Sequence, residues 1–383
     1  MERRVLMILN NGYINDPRVT AEAESLVRHG YKVRVIAWDR KRQYSSHDII
    51  NGVEVIRIRI PYLLDKILPF EILKLPIWQT LAYKKALDIY KNWKFKIIHV
   101  HDCPDLLIGV KLKQKIKGIL IYDSHEVWNY MVFTNKFPEF IGEVLWRERS
   151  MLKSVDVLIT VGRGYKKYFL RYVDDVKIIM NAKHPVSSWK RPKIFPLVIV
   201  YIGGFNNFRC IKELARSLCK IKYPVVAIIA GPEYADYKVL FERTKECGVK
   251  YIGYVPKSQV ISLTLNSSVV YYVFNPKSPL YQIGMPNKLF EAITTGRASI
   301  AGKNTDSGRF VEEYKIGIVV TCAEEEIKRA LEYLIENPKY IVKFGKRAYS
   351  IGRKYNWELE EQKLLKIYDL LNTRANNING DSR

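Results

Sequence analysis

Short runs of apolar, β-branched residues recur along the chain at intervals long enough to hold a helix. The intervening segments carry apolar residues at helical spacing, so the pattern predicts strands that alternate with helices. Asp16 can cap a helix that begins at Pro17 and ends near Arg28, just before Gly30. Strands are predicted in the first half at residues 5–9, 32–37, 53–60, 96–100, 119–122, 155–161 and 176–180.

The same alternation restarts after a polar segment that contains several prolines. Residues 184–196 are therefore the predicted linker. Further on, an amphipathic helix is expected from Trp357 to about Leu371, followed by a polar, loose tail at residues 374–383. Strands are predicted in this half at residues 197–201, 225–230, 250–252, 269–274, 298–301 and 318–321.

Strands separated by helix-length segments form parallel sheets that are covered on both faces. The expected fold class is therefore α/β, with two doubly wound, Rossmann-like domains facing across a cleft. The first would span residues 1–183 and the second residues 197–350. Since such domains bind ligands at the carboxyl ends of their strands, the ligand is expected in the cleft.

The segment GMPNKLFEA at 284–292 follows a predicted strand and favours anion binding. Pro286 suits the first helical position and Gly296 suits a C-terminal cap, which predicts a short helix over 286–295. Its free amides and the charge of Lys288 attract phosphate, and Glu291 lies one turn later on the same face. This group suits a nucleoside diphosphate, with Glu291 accepting ribose hydroxyls; an ordinary αβ unit with a surface Lys–Glu pair is the alternative.

The 383-residue chain carries a net charge of +24, which implies an anionic partner. Its basic residues are spread widely and no small nucleic-acid motif occurs, so a membrane surface is favoured over a nucleic acid. Lys- and Ile-rich usage can also reflect the composition of the source or a hot habitat.

Localisation is predicted from what the sequence lacks. No uncharged apolar run of about 18 residues occurs, and residues 5–9 are too short for a signal-peptide core. The five cysteines are scattered without metal-ligand spacing, which favours a reducing cytoplasm and argues against structural zinc or disulfides. A cytoplasmic protein is expected.

Several motifs, taken in order, resemble the retaining glycosyltransferases of family 4, which have the GT-B fold and belong to the glycosyl transferases group 1. The likeness covers nearly the full length of the chain. The motifs are DPRV at 16–19, HVHD at 99–102, YDSHE at 122–126, SVDVLITV at 154–161, IMN at 179–181, YIGGF at 201–205, RCI at 209–211, PNK at 286–288 and NW at 356–357.

The resemblance implies that the first domain binds the acceptor and the second binds a nucleotide sugar such as a UDP- or GDP-sugar. Residues 351–373 would form a helix that crosses back onto the first domain. Arg209 and Lys288 would stabilise the leaving diphosphate, so no cofactor and no essential metal are implied. The donor-binding residues carried over from the family are Gly203, Gly204, Arg209, Pro286, Asn287, Lys288 and Glu291.

In the first domain, His125 follows a strand and is the third catalytic candidate beside Arg209 and Lys288. It would bind the transferred sugar or orient the acceptor hydroxyl; alternatively, Asp123 or Glu126 satisfies it without substrate contact. Gly12, His125 and Glu126 form the predicted acceptor or phosphate loop, although Gly12 also suits a plain turn.

Two further groups of residues favour structural roles. Asp16 and Arg18 suit a helix cap and a salt bridge. His99, His101 and Asp102 resemble metal ligands, but without a further ligand at useful spacing a hydrogen-bond network at the strand end is favoured.

The chain departs from the family pattern at three positions. Ile283 stands eight residues before Glu291, where many members carry a first glutamate that contacts the sugar, so the sugar is not specified. Gly204 stands where many members have an arginine, and Cys210 replaces the usual glycine after the cation.

The acceptor segments, residues 61–70 and 127–146, mix aromatic and aliphatic residues with Lys and Arg. Such segments suit a bilayer surface, so the expected enzyme is peripheral at the inner membrane face with a lipid-linked or surface-glycan acceptor. Packing against the sheet is the alternative for residues 63–75. Other functions considered are a sugar-nucleotide epimerase of the same fold and a non-catalytic basic module that binds nucleic acid or membrane.

Overall fold

The computed structural model describes residues 2–134 and 146–380, and the side chains of residues 2–131 and 146–373. The chain forms two compact units. The first contains the residues up to Ile179 and from Glu361 onward, and the second contains Met180–Glu360. Each is built on a sheet of mainly parallel strands, which confirms the predicted class of two doubly wound α/β domains.

The first unit has a sheet with the strand order β3-β4-β2-β1-β5-β6-β7-β8 in the described part of the chain. Every neighbouring pair is parallel except β3 and β4, which are antiparallel. The strands are β1 (Arg4–Leu9), β2 (Lys32–Trp38), β3 (His47–Ile50), β4 (Val53–Ile58), β5 (Ile97–His101), β6 (Ile119–Ser124), β7 (Val157–Thr160) and β8 (Val176–Ile178).

Helices connect these strands, and the last helix of the chain starts in the second unit and continues in the first. The first-unit helices are α1 (Pro17–Arg28), α2 (Tyr62–Ile67), α3 (Glu71–Asn92), α4 (Cys103–Ile116), α5 (Trp128–Thr134), α6 (Glu148–Leu152) and α7 (Arg163–Phe169).

The second unit has an all-parallel sheet with the order β11-β10-β9-β12-β13-β14. Its strands are β9 (Leu197–Ile202), β10 (Val225–Ala230), β11 (Val249–Tyr251), β12 (Val269–Tyr272), β13 (Ala298–Gly302) and β14 (Gly317–Val320). The helices that follow are α8 (Ile211–Leu218), α9 (Ala235–Arg243), α10 (Lys257–Leu265), α11 (Pro279–Ile283), α12 (Asn287–Thr295), α13 (Asp306–Tyr314), α14 (Glu324–Glu336), α15 (Lys339–Gly352) and α16 (Trp357–Gly380).

Both faces of the second sheet are buried. Ile199 and Tyr201 of β9 belong to one apolar cluster, whereas Val200 between them belongs to a cluster on the opposite face. Because side chains alternate along a strand, a fully apolar strand needs helices on both sides of its sheet. The loops that follow the strand ends then lie together at one edge.

Two features differ from the sequence prediction. Strand β3 was not predicted. It pairs antiparallel with β4 and directly precedes it in the chain, whereas the prediction relied on strands separated by helices. Helix α16 runs to Gly380, so the expected loose tail is helical up to that residue. No breaker precedes Gly380, and a helix once nucleated extends at little cost. Part of the predicted acceptor segment, residues 135–145, lies outside the described residues.

Candidate active site

Two basic side chains of the second unit converge on Gly203, which directly follows β9. A methyl group built on this glycine would lie 2.7 Å from Nζ of Lys288 and 3.6 Å from Nη1 of Arg209. The φ angle of Gly203 is 151°, a backbone conformation that L side chains rarely adopt. Glycine therefore keeps open the space that both cations face.

Neither cation makes a salt bridge with a carboxylate among the residues that the structure describes, although the charge of Glu291 acts on Lys288 from a greater distance. Lys288 is buried, and its Nζ lies 4.4 Å from the centre of the Tyr201 ring. Arg209 donates to the hydroxyl oxygen of Tyr281 at 3.2 Å and stacks near the Phe274 ring. Aromatic rings and phenol oxygens place these charges without neutralising them, so the site is ready to bind an anion.

Burial, together with the neighbouring charge of Arg209, lowers the pKa of Lys288 to about 7. A bound phosphate would restore the protonated form, since an anion favours the charged state of a nearby amine. The amine therefore changes its proton occupancy when an anion enters the site.

Lys288 lies in the first turn of α12, where backbone amides add to the positive field. Pro286 occupies the N-cap and offers no side-chain cap, and Gly296 ends the helix with φ 64° and ψ 49°. The predicted helix and its glycine cap are confirmed, with Pro286 one position earlier than expected. Asn287 is held from outside the helix, since its side-chain oxygen accepts from Nζ of Lys183 at 2.8 Å.

Glu291 lies one turn further along α12 and is 8 % exposed. Its carboxylate makes no hydrogen bond or ion pair with the described residues, and burial raises its pKa. A carboxyl group in this state can accept hydroxyl donors from a ligand. Gly204 faces open space, since a methyl group built there meets no atom within 4 Å.

The loop that carries Arg209 is tied to disulfide bonds, which contradicts the expectation that the cysteines are unpaired. Cys210 caps the start of α8 and bonds to Cys322, and Cys219 at the other end of α8 bonds to Cys247. The pairs lie 112 and 28 residues apart in sequence, and only the packing of α8 against its neighbours brings them together. Cys103 is buried and belongs to neither disulfide, and its Sγ lies 3.7 Å from the carbonyl oxygen of Trp146.

In the first unit, His125 lies just after β6 between two carboxylates. Its Nε2 is 3.3 Å from Oδ2 of Asp123, and its Nδ1 is 3.3 Å from Oδ2 of Asp102. Although burial opposes the charge, Asp102 and Asp123 raise the pKa of His125 well above its usual range. Asp123 was one expected partner; Asp102 was not expected to contact this histidine.

Arg18 makes the salt bridge expected of it. It contacts both carboxylate oxygens of Asp123 at 2.8 Å and Oε1 of Glu22 at 3.2 Å. Burial opposes ionisation of Asp123, but Arg18 and His125 hold its pKa well below the usual range. Asp16 caps α1 by accepting from the amides of Arg18 and Val19, as the sequence predicts.

A buried quartet lies behind His125 and includes ligands that sequence spacing did not reveal. Ligand atoms of Glu22, His99, His101 and Asp123 all lie within 4.8 Å of one another. The statement that His99 and His101 have no further potential ligand is therefore wrong, because α1 packs beside β5 and β6. Arg18 already bridges the two carboxylates, so a charge network remains the better description of this group.

The other two members of the predicted acceptor loop take part in local contacts. The carbonyl oxygen of Gly12 accepts from Nε of Arg57 at 3.1 Å, and the Tyr44 ring covers the glycine. The carbonyl oxygen of Glu126 accepts from Oγ of Ser124 at 2.6 Å. The structure thus brings Glu126 and His125 together on one loop, whereas Gly12 follows β1.

Helix α2 and the start of α3 form an exposed apolar area, here called the α2 surface. Helix α2 has no buried residue, so the alternative that this helix simply packs against the sheet is wrong. Lys66 and Arg42 lie over the Tyr62 ring, and Asp65 pairs with Arg42 and Lys74 in the same area. The α2 surface comprises Tyr62, Leu63, Leu64, Ile67, Phe70, Ile72 and Leu73, each between 40 % and 68 % exposed.

No helix in the described ranges is long and apolar enough to cross a membrane.

The fold is thus that of a two-domain α/β protein whose second unit holds uncompensated cations at a strand end. Residues 16–181 match the family model "Glycosyl transferase 4-like domain", and residues 194–351 match "Glycosyl transferases group 1". Together these matches span most of the chain. The chain therefore belongs to the group 1 glycosyltransferases, as its motifs indicated.

Solved structures share the same fold. Sucrose-phosphate synthase from Thermosynechococcus elongatus superposes with a TM-score of 0.78 at 15% identity, over 97% of this chain and 100% of that one. HepE from Anabaena in complex with UDP-glucose gives 0.72 at 12% identity, over 96% and 99%. WaaG, a glycosyltransferase involved in lipopolysaccharide biosynthesis, gives 0.68 at 10% identity, over 96% and 99%. No sequence among the curated proteins matches the chain.

Proposed function

We propose that this glycosyltransferase moves a sugar from a nucleoside diphosphate sugar to a lipid-linked or surface-glycan acceptor with retention of configuration. One observation carries the proposal: Lys288 and Arg209 face the same space beside Gly203, and neither makes a salt bridge with a carboxylate in the described part of the chain. A diphosphate supplies the missing negative charge. Glu291, one turn further along the same helix, then accepts the ribose hydroxyls.

The cations act most strongly as the sugar leaves. The bond between C1 of the sugar and the diphosphate oxygen breaks while the acceptor oxygen bonds to C1, and the acceptor proton passes to the departing diphosphate oxygen. Negative charge grows on the diphosphate during this step, so fixed cations stabilise the transition state more than the ground state. Because Arg209 and Lys288 supply this charge, the reaction needs no essential metal.

Retention belongs to the proposal because it comes from the family resemblance. The complex of HepE with UDP-glucose supports a nucleotide sugar as donor, although that likeness by itself concerns the fold. The configuration at C1 of the glycoside product, read from the coupling of its anomeric proton by NMR, tests this part. A product of inverted configuration would refute retention and leave the donor class unaffected.

The donor is tested by thermal unfolding of the purified protein with UDP, GDP, ADP, CMP, dTDP and their sugars, with and without EDTA. Selective stabilisation by one nucleoside diphosphate, insensitive to EDTA, supports the proposal. Lys288→Ala and Glu291→Ala should abolish that stabilisation, whereas Lys250→Ala, at an exposed position on β11, should keep it. Flat curves for every nucleotide, with strong stabilisation by RNA or anionic lipid, would refute a donor site here.

The acceptor and the inner membrane face are supported by the α2 surface and the net charge of +24. Exposed apolar side chains with Lys66 and Arg42 beside them suit the boundary between acyl chains and anionic head groups. We expect the protein to sediment with vesicles that contain an anionic phospholipid and to remain in solution with neutral ones. Recovery wholly in the supernatant at low salt would contradict this part of the proposal.

A further inference from the structure

The carboxylate of Asp102 makes three contacts with the loop that carries His125. Its Oδ1 accepts from the backbone amide of His125 at 3.1 Å and from the indole Nε1 of Trp128 at 3.2 Å. Its Oδ2 lies 3.3 Å from Nδ1 of the His125 ring. One carboxylate therefore fixes the backbone, the neighbouring ring and the imidazole of the same loop.

Asp102 makes these contacts from a costly backbone conformation. Its φ of 65° and ψ of 159° lie in a region that is essentially reserved for glycine. The residue occupies the N-cap of α4, yet its side chain forms no cap hydrogen bond, although aspartate is among the preferred N-cap residues. The side chain gives up its ordinary local role and turns to His125 instead.

The ring of His125 has a carboxylate oxygen at each nitrogen. A neutral imidazole carries a single N–H and can donate to only one of them, whereas the protonated ring donates to both. Asp102 and Asp123, from the ends of β5 and β6, thus select the same form of the ring. That form is a cation without a free lone pair.

We infer that Asp102 is a positioning residue that holds His125 as a fixed, doubly donating imidazolium, so that His125 contributes positive charge to the transfer and does not accept the acceptor's proton. The inference rests on the proposed function and on the expectation, from the family resemblance, that His125 lies beside the sugar or the acceptor. It assigns to Asp102 a role that its place in the sequence, before Cys103 and Pro104, does not indicate.

The other titratable groups near His125 either carry no charge at neutral pH or are paired with one another. The ring of His101 lies 5.7 Å away between centres, and burial lowers its pKa, so it adds no charge at neutral pH. The groups that face His125 from the packed elements are Asp102, His101 and His99 on the β5 side, Asp123 on β6, and Arg18 and Glu22 on α1.

Two substitutions separate positioning from folding. Asp102→Asn keeps the shape and one accepting oxygen, but it removes the charge and replaces the other oxygen with an amide donor. Asp102→Gly removes the carboxylate and also relieves the backbone, so it should unfold at the same temperature as the wild type or higher. Lys117→Gly, at the left-handed C-cap of the same helix with φ 52° and ψ 44°, is the matched backbone control and should keep wild-type activity.

The first readout does not need activity: NMR titration of the His125 ring, assigned by comparison with His125→Gln. In the wild type the ring should stay protonated at pH values well above those at which a histidine ordinarily titrates. In Asp102→Asn the pKa of His125 should fall by about 1 or more. The second readout is kinetic. Both Asp102 variants should lose at least about tenfold in kcat, while KM for the donor changes little.

An Asp102→Asn variant with the wild-type His125 titration and wild-type kcat would overturn the inference. So would an Asp102→Gly variant that unfolds at a lower temperature and regains full activity when cooled, since the carboxylate would then serve stability alone. If the wild type transfers no sugar from any nucleotide, the proposed function fails; the titration still decides whether Asp102 holds His125 as a cation.

Discussion

Replacing Lys288 with methionine should stabilise the free protein and weaken donor binding about a hundredfold at the same time. Methionine keeps the length and apolar stem of lysine and removes the buried charge. A general folding defect lowers both stability and donor binding. A variant that is more stable but binds the donor more weakly therefore indicates a site whose buried charge serves to bind an anion.

The magnitude follows from the pKa of Lys288. Burial lowers this pKa from 10.5 to about 7. Each tenfold change in proton affinity is worth about 1.36 kcal/mol, so near pH 7 the buried amine lowers the stability of the folded protein by about 4 kcal/mol. The unfolded chain binds this proton more tightly than the folded one. This contribution therefore raises stability as the pH increases from about 7 to about 10.5, and the cost falls to about 2 kcal/mol near pH 9.

Local relaxation recovers part of this cost, and we expect Lys288→Met to gain about 2–4 kcal/mol near pH 7. For a domain of this size that raises the melting temperature by at least about 4 °C. The gain should shrink as the pH rises towards 9. Lys250→Met, at an exposed position in the same unit, is the control and should change little.

Ligand binding should change in the opposite direction. At a nucleoside diphosphate concentration of about one hundred times Kd, the wild type gains about 2.7 kcal/mol. A hundredfold loss of affinity in Lys288→Met would reduce this to about 0.4 kcal/mol. Loss of one cation should also lower kcat by about 10²–10³. A variant with no gain in melting temperature and an undiminished nucleotide response would refute the reasoning.

Three further predictions concern other parts of the molecule. Gly203→Ala should weaken donor binding at least about tenfold in a nucleotide titration, because its Cβ would lie 2.7 Å from Nζ of Lys288. Gly204→Ala is the control, since its Cβ would meet no atom within 4 Å, and equal losses in both variants would contradict a donor site beside Gly203. Leu63→Asp with Ile67→Asp should abolish sedimentation with anionic vesicles without lowering the melting temperature, and Ile49→Asp, 72 % exposed elsewhere on the unit, should not. The double substitution Cys219→Ser, Cys247→Ser should lower the free energy of unfolding in urea by about 3–4 kcal/mol, as expected for opening a loop of 28 residues. If the double variant and the oxidised wild type unfold at the same urea concentration, the disulfide contributes nothing to stability.

Local chemistry made several helix ends and strands of both units predictable. The caps of α1 and α12 lie within a few residues of the helices they end, and buried parallel strands are continuous apolar runs. Asp16, Pro286 and Gly296 therefore mark helix ends without any knowledge of the fold. The family resemblance then placed Arg209 and Lys288 together, which spacing alone could not do.

The features that sequence missed depend on contacts between distant segments. The cysteine pairs are 112 and 28 residues apart, and no spacing rule links them. Glu22 joins His99 only because α1 packs beside β5. Asp102 precedes a helix and suits an ordinary cap, and only its backbone angles and the position of His125 show otherwise.

The disulfide bond at Cys210 bears on how the donor site binds its ligand. Arg209 is one peptide bond away from a covalent cross-link, and Tyr201 and Tyr281 hold its guanidinium from the other side. The cation is thus preorganised, so a ligand does not have to order this loop when it binds. Association should then carry a smaller conformational-entropy penalty, and the electrostatic field at the diphosphate should need little reorganisation as the sugar departs.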